Sequence, residues 1–513
     1  MLPPVSARPR AIACLLLITL AASACGSTVQ SGSSGAPGVA VRDGSLGDAP
    51  LAGSTDPSQG AGIGGIAPGS GAGTIDSAGT ANSAVTANAG GARASNTSGT
   101  AGGAHGAASV VGGAPKGPIK IGLLDVGNVG GGLAAIGAKT QAQTSGQDLA
   151  KAYIHHFNTH GGIAGRQVEY VEYTINVNDD YQTDLQAACA RFTQDNHVAV
   201  VLSQLGDVSG NTFDACIAKA GVLNLEMSSS TYDAKSYELY ATTYSLGGPN
   251  VDRRESAVFR GMHEDGVLTA KNTVGIIVED CPESTAAYSR TLAPMAKQFG
   301  LKLVRADVDC LTSFSGVADF ESQVQATVLP FRSKGVDRVT FVSAWESLML
   351  LSFENQAGNQ GYKPLYAVSS LAGPQAFASQ YSSDTLSRLH GVGWLPDTDV
   401  VGGLKNAMTA SCEAIARDEG IKATDQANIG LVHMVCEQYM LFEAAVKASG
   451  GYSDRASLIR GLAAVDGTYT SALMLGNRTT VGRTRDAAAL FAPFQYLGTC
   501  SCFKYSAAPT RTA

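Results

Sequence analysis

The most constraining feature of this sequence is an alternation of short apolar runs with amphipathic runs beyond residue 116. The first apolar run, 119–125 (IKIGLLD), lies between Pro118 and a Gly-rich loop, which is typical of a buried strand. The next run, 147–156, has the spacing of a helix. The same criteria predict strands at 168–174, 198–203, 222–226, 273–278, 302–306, 338–342 and 365–368, and helices at 184–192, 211–220, 285–299, 320–334 and 348–357.

This alternation defines the fold class that we expect. Strands that alternate with helices through short connections form parallel sheets with helices on both faces. Two such series follow one another, so we predict an α/β protein with two doubly wound parallel-sheet lobes. Ligands of such sheets bind beyond the carboxyl ends of the strands, so the residues directly after each strand are the candidates for a binding site.

The segment 26–116 has a different composition from the rest of the chain. Its 91 residues include 23 Gly and seven charged residues, and every Phe, Trp and Tyr of the protein lies beyond it. A segment without aromatic residues buries too little apolar surface to offset the entropy of ordering its backbone. We therefore predict that 25–116 is a disordered tether, with an end-to-end distance on the order of 50–60 Å.

The N-terminus has the features of an export signal. Arg8 and Arg10 precede the apolar run 11–24, which is too short for a permanent membrane span. The run ends as A-S-A-C-G, which resembles the site where bacterial signal peptidase leaves a lipidated cysteine. We expect 1–24 to be a signal peptide and Cys25 to carry the lipid that holds the protein at the membrane. The alternative is ordinary secretory cleavage beside a cysteine.

Charge and hydropathy exclude other classes of partner. The chain has 36 Lys and Arg against 43 Asp and Glu, a net charge of −7, and its basic residues do not cluster. A nucleic-acid-binding protein would present a basic patch, so we do not expect nucleic acid as a partner. No stretch after residue 30 approaches the ~20 continuous apolar residues of a spanning helix.

The cysteines indicate an oxidising compartment. Eight remain after Cys14 and Cys25 are set aside, and an even number in an exported protein predicts up to four disulfides. Sequence does not determine their connectivity, and we expect pairing of neighbours in the chain. The expected pairs are Cys189 with Cys216, Cys281 with Cys310, and Cys412 with Cys436. A bridge between Cys500 and Cys502 would be strained, so these two residues are expected to pair with other partners.

Five segments within 117–505 carry a family resemblance. They are the strand IKIGLLD, the motif N-x-x-G-G-I-x-G-R at 158–166, the run AVVLSQLGDVSG at 199–210, the run GLVHMVCEQYMLFEAAVKASGG at 430–451, and a final C-F-K-Y strand. Together they resemble the type I periplasmic binding proteins of the leucine/isoleucine/valine-binding family. The resemblance implies an extracytoplasmic receptor that closes two lobes around a small solute and delivers it to an ABC permease.

The resemblance also implies where the chain crosses between the lobes. Crossings are expected near 245–248, 391–395 and 468–471. They divide the chain into an N-lobe of 117–246 and 393–470 and a C-lobe of 247–392 and 471–505, followed by a tail of 506–513. Hinge closure of these lobes is the expected motion.

The ligand contacts that the resemblance implies are polar with one aromatic exception. In the N-lobe they are Asp207, Ser209, Ser228 and Ser230, and in the C-lobe they are Glu283, Trp345 and Ser370.

Two of these positions depart from the family pattern. Asp207 stands where a hydroxyl usually receives the carboxylate of an amino acid, and Ser370 stands where an acid usually receives the ammonium group. Asp207 or Glu283 could instead bind an ammonium or amide group with Trp345 as a wall. The alternative is that Asp207 caps a helix and Trp345 belongs to the core. We expect a small polar solute, an amino acid or an amide-like compound.

Other functions receive less support from the residues. Ser209 lies in G-D-V-S-G, which differs by one position from a hydrolase G-x-S-x-G motif. The pairs His156/His160 and His433/Glu437 have a spacing that could bind a metal, but the chain lacks clustered ligands. We therefore expect no enzyme activity, no metal and no cofactor. The prediction is a monomeric, extracytoplasmic, lipid-anchored protein that serves an ABC importer. A lipoprotein that senses its ligand and signals to a membrane partner is the second hypothesis.

Overall fold

The structure is a computed structural model, and it describes residues 41–43, 117–127, 145–176, 181–203, 212–227 and 232–511. The strands in this part of the chain are β1 (Val41–Asp43), β2 (Ile119–Gly127), β3 (Val168–Asn176), β4 (Val200–Ser203), β5 (Leu223–Glu226), β6 (Thr243–Ser245), β7 (Thr273–Glu279), β8 (Lys302–Val308), β9 (Arg338–Val342), β10 (Leu365–Ser369), β11 (Leu389–Gly393), β12 (Ala492–Leu497) and β13 (Cys502–Tyr505).

The α-helices in the same part are α1 (Gly146–Thr159), α2 (Tyr181–Ala190), α3 (Thr212–Ala220), α4 (Ala234–Leu239), α5 (Val251–Glu264), α6 (Pro282–Ala287), α7 (Ala293–Gln298), α8 (Val317–Ala326), α9 (Val328–Ser333), α10 (Glu346–Asn359), α11 (Ser383–Leu386), α12 (Pro396–Asp399), α13 (Ala407–Asp418), α14 (Gln426–Ala448), α15 (Arg455–Val465) and α16 (Val481–Thr484). Two π-helical turns, Arg191–Asp195 and Tyr288–Leu292, interrupt or extend the α-helices.

The strands form two sheets, as the alternation of the sequence predicts. The first sheet has the order β3-β2-β4-β5-β6, and all of its neighbouring strands are parallel. The second sheet has the order β1-β8-β7-β9-β10-β11-β12-β13. Its strands β7 to β11 are parallel, but β1, β12 and β13 are antiparallel to their neighbours. The prediction of two α/β sheets is thus confirmed, and the second sheet is mixed rather than purely parallel.

Helices cover both faces of the first sheet because its strands are apolar on both sides. In β2, Ile121 and Leu123 pack into a core cluster with Tyr153 of α1, whereas Leu124 packs into a second cluster with Phe192. Successive side chains of a strand point to opposite faces, so a continuous apolar run supplies both clusters.

Two helices that we predicted as continuous are interrupted. The predicted helix 285–299 consists of α6, a π turn and α7, with Pro294 in the first turn of α7. The predicted helix 320–334 is divided at Thr327 into α8 and α9, and Pro330 lies in the first turn of α9. Proline lacks the N–H group that continues a helix, so both interruptions have a local cause.

Helix α14 packs against the first sheet. Among the described residues it is the one helix whose length and apolar composition would allow it to cross a membrane, and 67% of its apolar window is buried inside the protein. Gln438 of α14 donates hydrogen bonds to the carbonyl oxygens of Ser203 and Leu225, which are 3.0 and 2.5 Å from its Nε2 atom. These contacts fasten α14 to β4 and β5.

Four disulfides join the eight cysteines. The three pairs expected from neighbouring positions, 189–216, 281–310 and 412–436, are confirmed. The expectation that Cys500 and Cys502 pair elsewhere is wrong, because they bridge each other across a Cα–Cα distance of 5.2 Å. Ser501 between them has a φ of 50°, and this left-handed conformation bends the chain sharply enough to bring the two sulfur atoms together.

Three residues of the predicted tether form a strand. Val41–Asp43 pairs antiparallel with β8, so the prediction of disorder is wrong for these residues. The open edge of β8 offers the backbone donors and acceptors for such pairing. Cys25 and the rest of 25–116 lie outside the described residues. The predicted tail continues the final hairpin, since Thr510 pairs with Phe491.

The predicted lobe boundaries stay a prediction, but the contacts of the chain near them can be described. Ser245, at the end of β6, pairs with Asp486 in a parallel bridge. Helix α16 contacts α15, so residues 481–484 lie with the helices of the first sheet before the chain enters the second sheet at β12.

Candidate functional site

The two sheets meet near the carboxyl ends of their parallel strands. Trp345 follows β9 of the second sheet and packs, partly buried, against two apolar clusters. One cluster belongs to the second sheet, and the other contains Leu124 of the first sheet and Phe213 of α3, which packs on that sheet. The indole thus touches both halves of the protein, which places the predicted residue Trp345 between the two sheets.

Glu283 also contacts the opposite half of the protein. Its Oε1 atom accepts a hydrogen bond of 3.3 Å from the hydroxyl of Ser236 in α4, which lies between β5 and β6 of the first sheet. Seven residues later, Arg290 donates from Nη2 to Asp233 at 2.9 Å and to Asp252 at 2.7 Å. Asp233 caps α4, so the contacts Glu283–Ser236 and Arg290–Asp233 join α4 to the helical segment that follows β7.

Two buried carboxylates lie at the carboxyl edge of the second sheet. Glu279 ends β7, and its oxygens accept hydrogen bonds from Ser343 Oγ at 2.7 Å and from the N–H of Leu311 at 2.9 Å. Glu346 begins α10 and accepts hydrogen bonds from the N–H and the hydroxyl of Ser369. Burial raises the pKa of Glu279, and it raises the pKa of Glu346 to about 7.

The buried guanidinium group of Arg254 interacts electrostatically with these two acids. Arg254, in the first turn of α5, donates from Nε to Glu255 at 2.8 Å, and both side chains are buried. Burial raises the pKa of Glu255, and the charge of Arg254 opposes the rise for Glu255, Glu279 and Glu346. Within the described ranges, Nη1 of Arg254 is buried without a hydrogen-bond partner. It is a donor that an acceptor oxygen could satisfy.

Ser370 forms hydrogen bonds with the segment that follows β11. Its hydroxyl donates to Asp399 Oδ2 at 3.0 Å and accepts from the N–H groups of Trp394 at 2.8 Å and Leu395 at 3.3 Å. The side chain is buried. The hydroxyl therefore positions the segment after β11, and its contact with a ligand stays a prediction.

The first sheet contributes a buried polar network below its carboxyl edge. Asp214 of α3 accepts hydrogen bonds from Asn224 Nδ2 at 3.0 Å, from Thr243 Oγ1 at 2.7 Å and from the hydroxyl of Tyr232. Burial raises its pKa. Asn224 accepts in turn from Ser203 at the end of β4. The four residues predicted to contact ligand in this half, Asp207, Ser209, Ser228 and Ser230, lie outside the described residues.

Sequence reasoning missed Glu279, Glu346 and Arg254. A signal was present for Glu279, because a carboxylate that ends the apolar strand TVGIIVE lies at the ligand-binding edge of a parallel sheet. Glu346 directly follows Trp345, which we did identify. Arg254 had no such signal, because its burial depends on how α5 packs.

The possible metal ligands have other partners. Glu279 lies within 4.8 Å of the sulfur atoms of Cys281 and Cys310, but these two atoms are bonded to each other and are not thiolate ligands. His433 does not pair with Glu437, since its ring nitrogens contact Asp397 at 2.8 Å and Glu413 at 3.3 Å.

The family and the structural neighbours agree with this architecture. A model of the family described as periplasmic binding protein matches residues 118–494. No curated protein matches the chain in sequence. A leucine-binding protein from Thermotoga maritima is 11% identical, with coverage of 77% of this chain and 99% of that chain and a TM-score of 0.54.

Two further solved structures are similar to this chain. The solute-binding protein of an ABC transporter from Rhodopseudomonas palustris HaA2, in complex with p-hydroxybenzoic acid, is 14% identical and covers 77% of this chain and 97% of that chain, with a TM-score of 0.56. The branched-chain amino acid-binding protein from Streptococcus pneumoniae, in complex with isoleucine, is 15% identical and covers 77% and 100%, with a TM-score of 0.53. At these identities the likeness shows the fold. Since the family model covers most of the sequence, the chain belongs to the periplasmic binding protein family.

Proposed function

We propose that this protein is an extracytoplasmic lipoprotein that captures a small polar solute between its two lobes and delivers it to an ABC importer. The observation that carries the proposal is the position of Trp345, which packs against the apolar clusters of both sheets beside their carboxyl edges. A solute bound at this place would contact both lobes at once. Its binding would therefore favour the closed arrangement. The role is binding without chemical turnover.

Two polar side chains, Glu283 and Arg254, support an amino acid or amide-like solute. Glu283 offers a carboxylate to an ammonium or amide N–H group, and the Nη1 atom of Arg254 offers a donor to a carboxylate or carbonyl oxygen. The indole offers an apolar face that also attracts cations. The combination suits a solute with a donor and an acceptor around a small apolar body. The structural neighbours with isoleucine and p-hydroxybenzoic acid indicate that the fold accepts both amino acids and aromatic acids in other proteins.

The proposed solute class is tested by thermal unfolding of the unlipidated chain from Gly26 onwards. Amino acids, amides, polyamines and small acids are added singly, because a solute that binds the native state raises the melting temperature. For a solute that binds, Trp345→Ala should lower the affinity at least tenfold, measured by calorimetry. Tyr496→Ala is the matched control, since Tyr496 is a partly buried aromatic residue in β12 packed against Phe503. If no amino acid or amide binds, the proposed solute class is wrong.

The anchor is tested separately. Cells that produce the intact chain should retain it in the membrane fraction, and Cys25→Ser should release it into the soluble fraction. Retention of the serine variant would contradict lipidation at Cys25.

A further inference from the structure

The bridge between Cys500 and Cys502 differs from the other three disulfides in exposure. Cys500 lies on the protein surface, and the residues on either side of it, Thr499 and Ser501, are exposed as well. The sulfurs of the 412–436 bridge belong to fully buried residues, and each of the other two bridges has at least one buried cysteine and no exposed one. Attack by an external thiol needs access to a sulfur atom, and Cys500 alone among these eight residues is exposed.

The bridge lies far from the candidate site. Strand β12 runs antiparallel to β11, with Ala492 opposite Gly393 and Gln495 opposite His390. Leu497 and the turn 498–501 therefore lie at the amino edge of the parallel strands. Glu279 and Trp345 lie at the carboxyl edge, so chemistry at the turn is separated from solute binding by the length of the strands.

The fold depends little on this bridge. Its two cysteines are two positions apart, whereas the other pairs are separated by 27, 29 and 24 positions. In the chain-entropy model, reduction of a disulfide that closes a three-residue loop shifts the equilibrium toward the unfolded state about 15-fold. Reduction of a disulfide that closes a loop of 25–30 residues shifts it in the same direction about 400-fold. The bridge can open while the native structure persists.

The backbone conformation of Ser501 also favours opening of the Cys500–Cys502 bridge. Ser501 has a φ of 50°, a conformation that residues other than glycine rarely adopt. The bridge holds Ser501 in this turn, and opening lets the residue relax while β12 and β13 remain paired through Leu497 and Cys502.

We propose that Cys500–Cys502 is a thiol-exchange site at which a low-molecular-weight thiol becomes attached to Cys500. The thiolate attacks Sγ of Cys500, the S–S bond breaks, and its electron pair leaves on Sγ of Cys502, which takes up a proton. The product is a mixed disulfide on Cys500. A second thiol molecule releases the Cys500 thiol and forms the oxidised dimer of the small thiol, so two thiols supply the two electrons that reduce the bridge.

Graded thiol treatment of the chain from Gly26 onwards tests the site. Glutathione is added at increasing concentration, free thiols are blocked with N-ethylmaleimide, and the labelled cysteines are identified by peptide mass spectrometry. Cys500 and Cys502 should be labelled at a glutathione concentration at least tenfold lower than the other six cysteines. The melting temperature and any solute binding should be unchanged at that concentration.

Two single variants in the same hairpin provide the matched comparison. In oxidised glutathione, the Cys500 thiolate of Cys502→Ser should attack the glutathione disulfide, release one glutathione and accumulate as a stable mixed disulfide, because the resolving thiol is missing. Cys500→Ser leaves Cys502, which is 4% exposed and should remain largely unmodified. The proposal is overturned if another bridge opens first, if the two variants are modified equally, or if the bridge opens only when the protein unfolds. None of these results depends on which solute the protein binds.

Discussion

Replacement of Asp399 by Asn should change how the stability of the protein depends on pH. The Oδ2 atom of Asp399 accepts hydrogen bonds from Ser370 Oγ at 3.0 Å, from the N–H of Leu395 at 2.9 Å and from the hydroxyl of Tyr505 at 2.8 Å. These partners come from three segments that meet where the chain leaves β11. Burial of the carboxyl group raises the pKa of Asp399 from 3.8 to about 7 despite these donors.

The magnitude follows from the difference between the folded and unfolded pKa. A rise of about 3 units corresponds to about 4 kcal/mol, at 1.36 kcal/mol per unit. Because the folded pKa is the higher one, the stabilising contribution is complete below pH about 4 and is lost as the pH rises through 7. With an unfolding entropy of about 2.1 cal/mol/K per residue over about 390 folded residues, 4 kcal/mol corresponds to about 5 °C in melting temperature.

Scanning calorimetry between pH 4 and pH 8 provides the measurement. Other buried acids also lower the melting temperature as pH rises, so the quantity of interest is the difference between the parent and Asp399→Asn. The parent should lose about 5 °C more than the variant over this range. Asp384→Asn is the control, because the hydrogen bond from Lys363 lowers the pKa of this exposed carboxyl group. Identical pH profiles for the parent and Asp399→Asn would refute the reasoning.

Three further changes test packing, cross-linking and lobe contact. Gly461→Ala should destabilise the protein by about 2 kcal/mol in urea unfolding, because a Cβ atom would lie 1.9 Å from the carbonyl oxygen of Ala445; an unchanged midpoint would contradict this close approach. Joint replacement of Cys412 and Cys436 by Ser should lower the unfolding free energy by about 3.5 kcal/mol in the same assay, and a loss below 1 kcal/mol would rule out the loop-entropy argument. Arg290→Ala removes the ion pair that joins the two halves of the protein, so the radius of gyration of the unliganded protein in X-ray scattering should increase; no change would indicate that this pair does not restrain the lobes.

The sequence was most informative where a short window determines the structure. The strands of both sheets were predictable because each is a compact apolar run, and three disulfides followed from neighbouring positions. Even the interruptions at Pro294 and Pro330 have a cause that is visible in the sequence.

Prediction was weaker where a role depends on distant partners. Ser370 was predicted as a ligand contact from the family resemblance, but its hydroxyl donates to Asp399, 29 positions along the chain. Arg254 resembles any surface residue of an amphipathic helix until the packing of α5 buries it. Trp345 was left open between a core residue and a ligand contact, and the structure gives it features of both, since it packs on two clusters and remains partly exposed.

The pairing of β11 with β12 has a consequence for how this protein reaches its native state. His390 and Gln495 are partners although more than 100 residues lie between them, and β13 pairs in turn with β12. Contacts of such high sequence separation slow folding, because a long loop must close before they form. The second sheet cannot be completed until residues 492–505 have been synthesised. We therefore expect the nascent chain to stay unfolded long enough to be threaded through an export channel and to fold only on the far side.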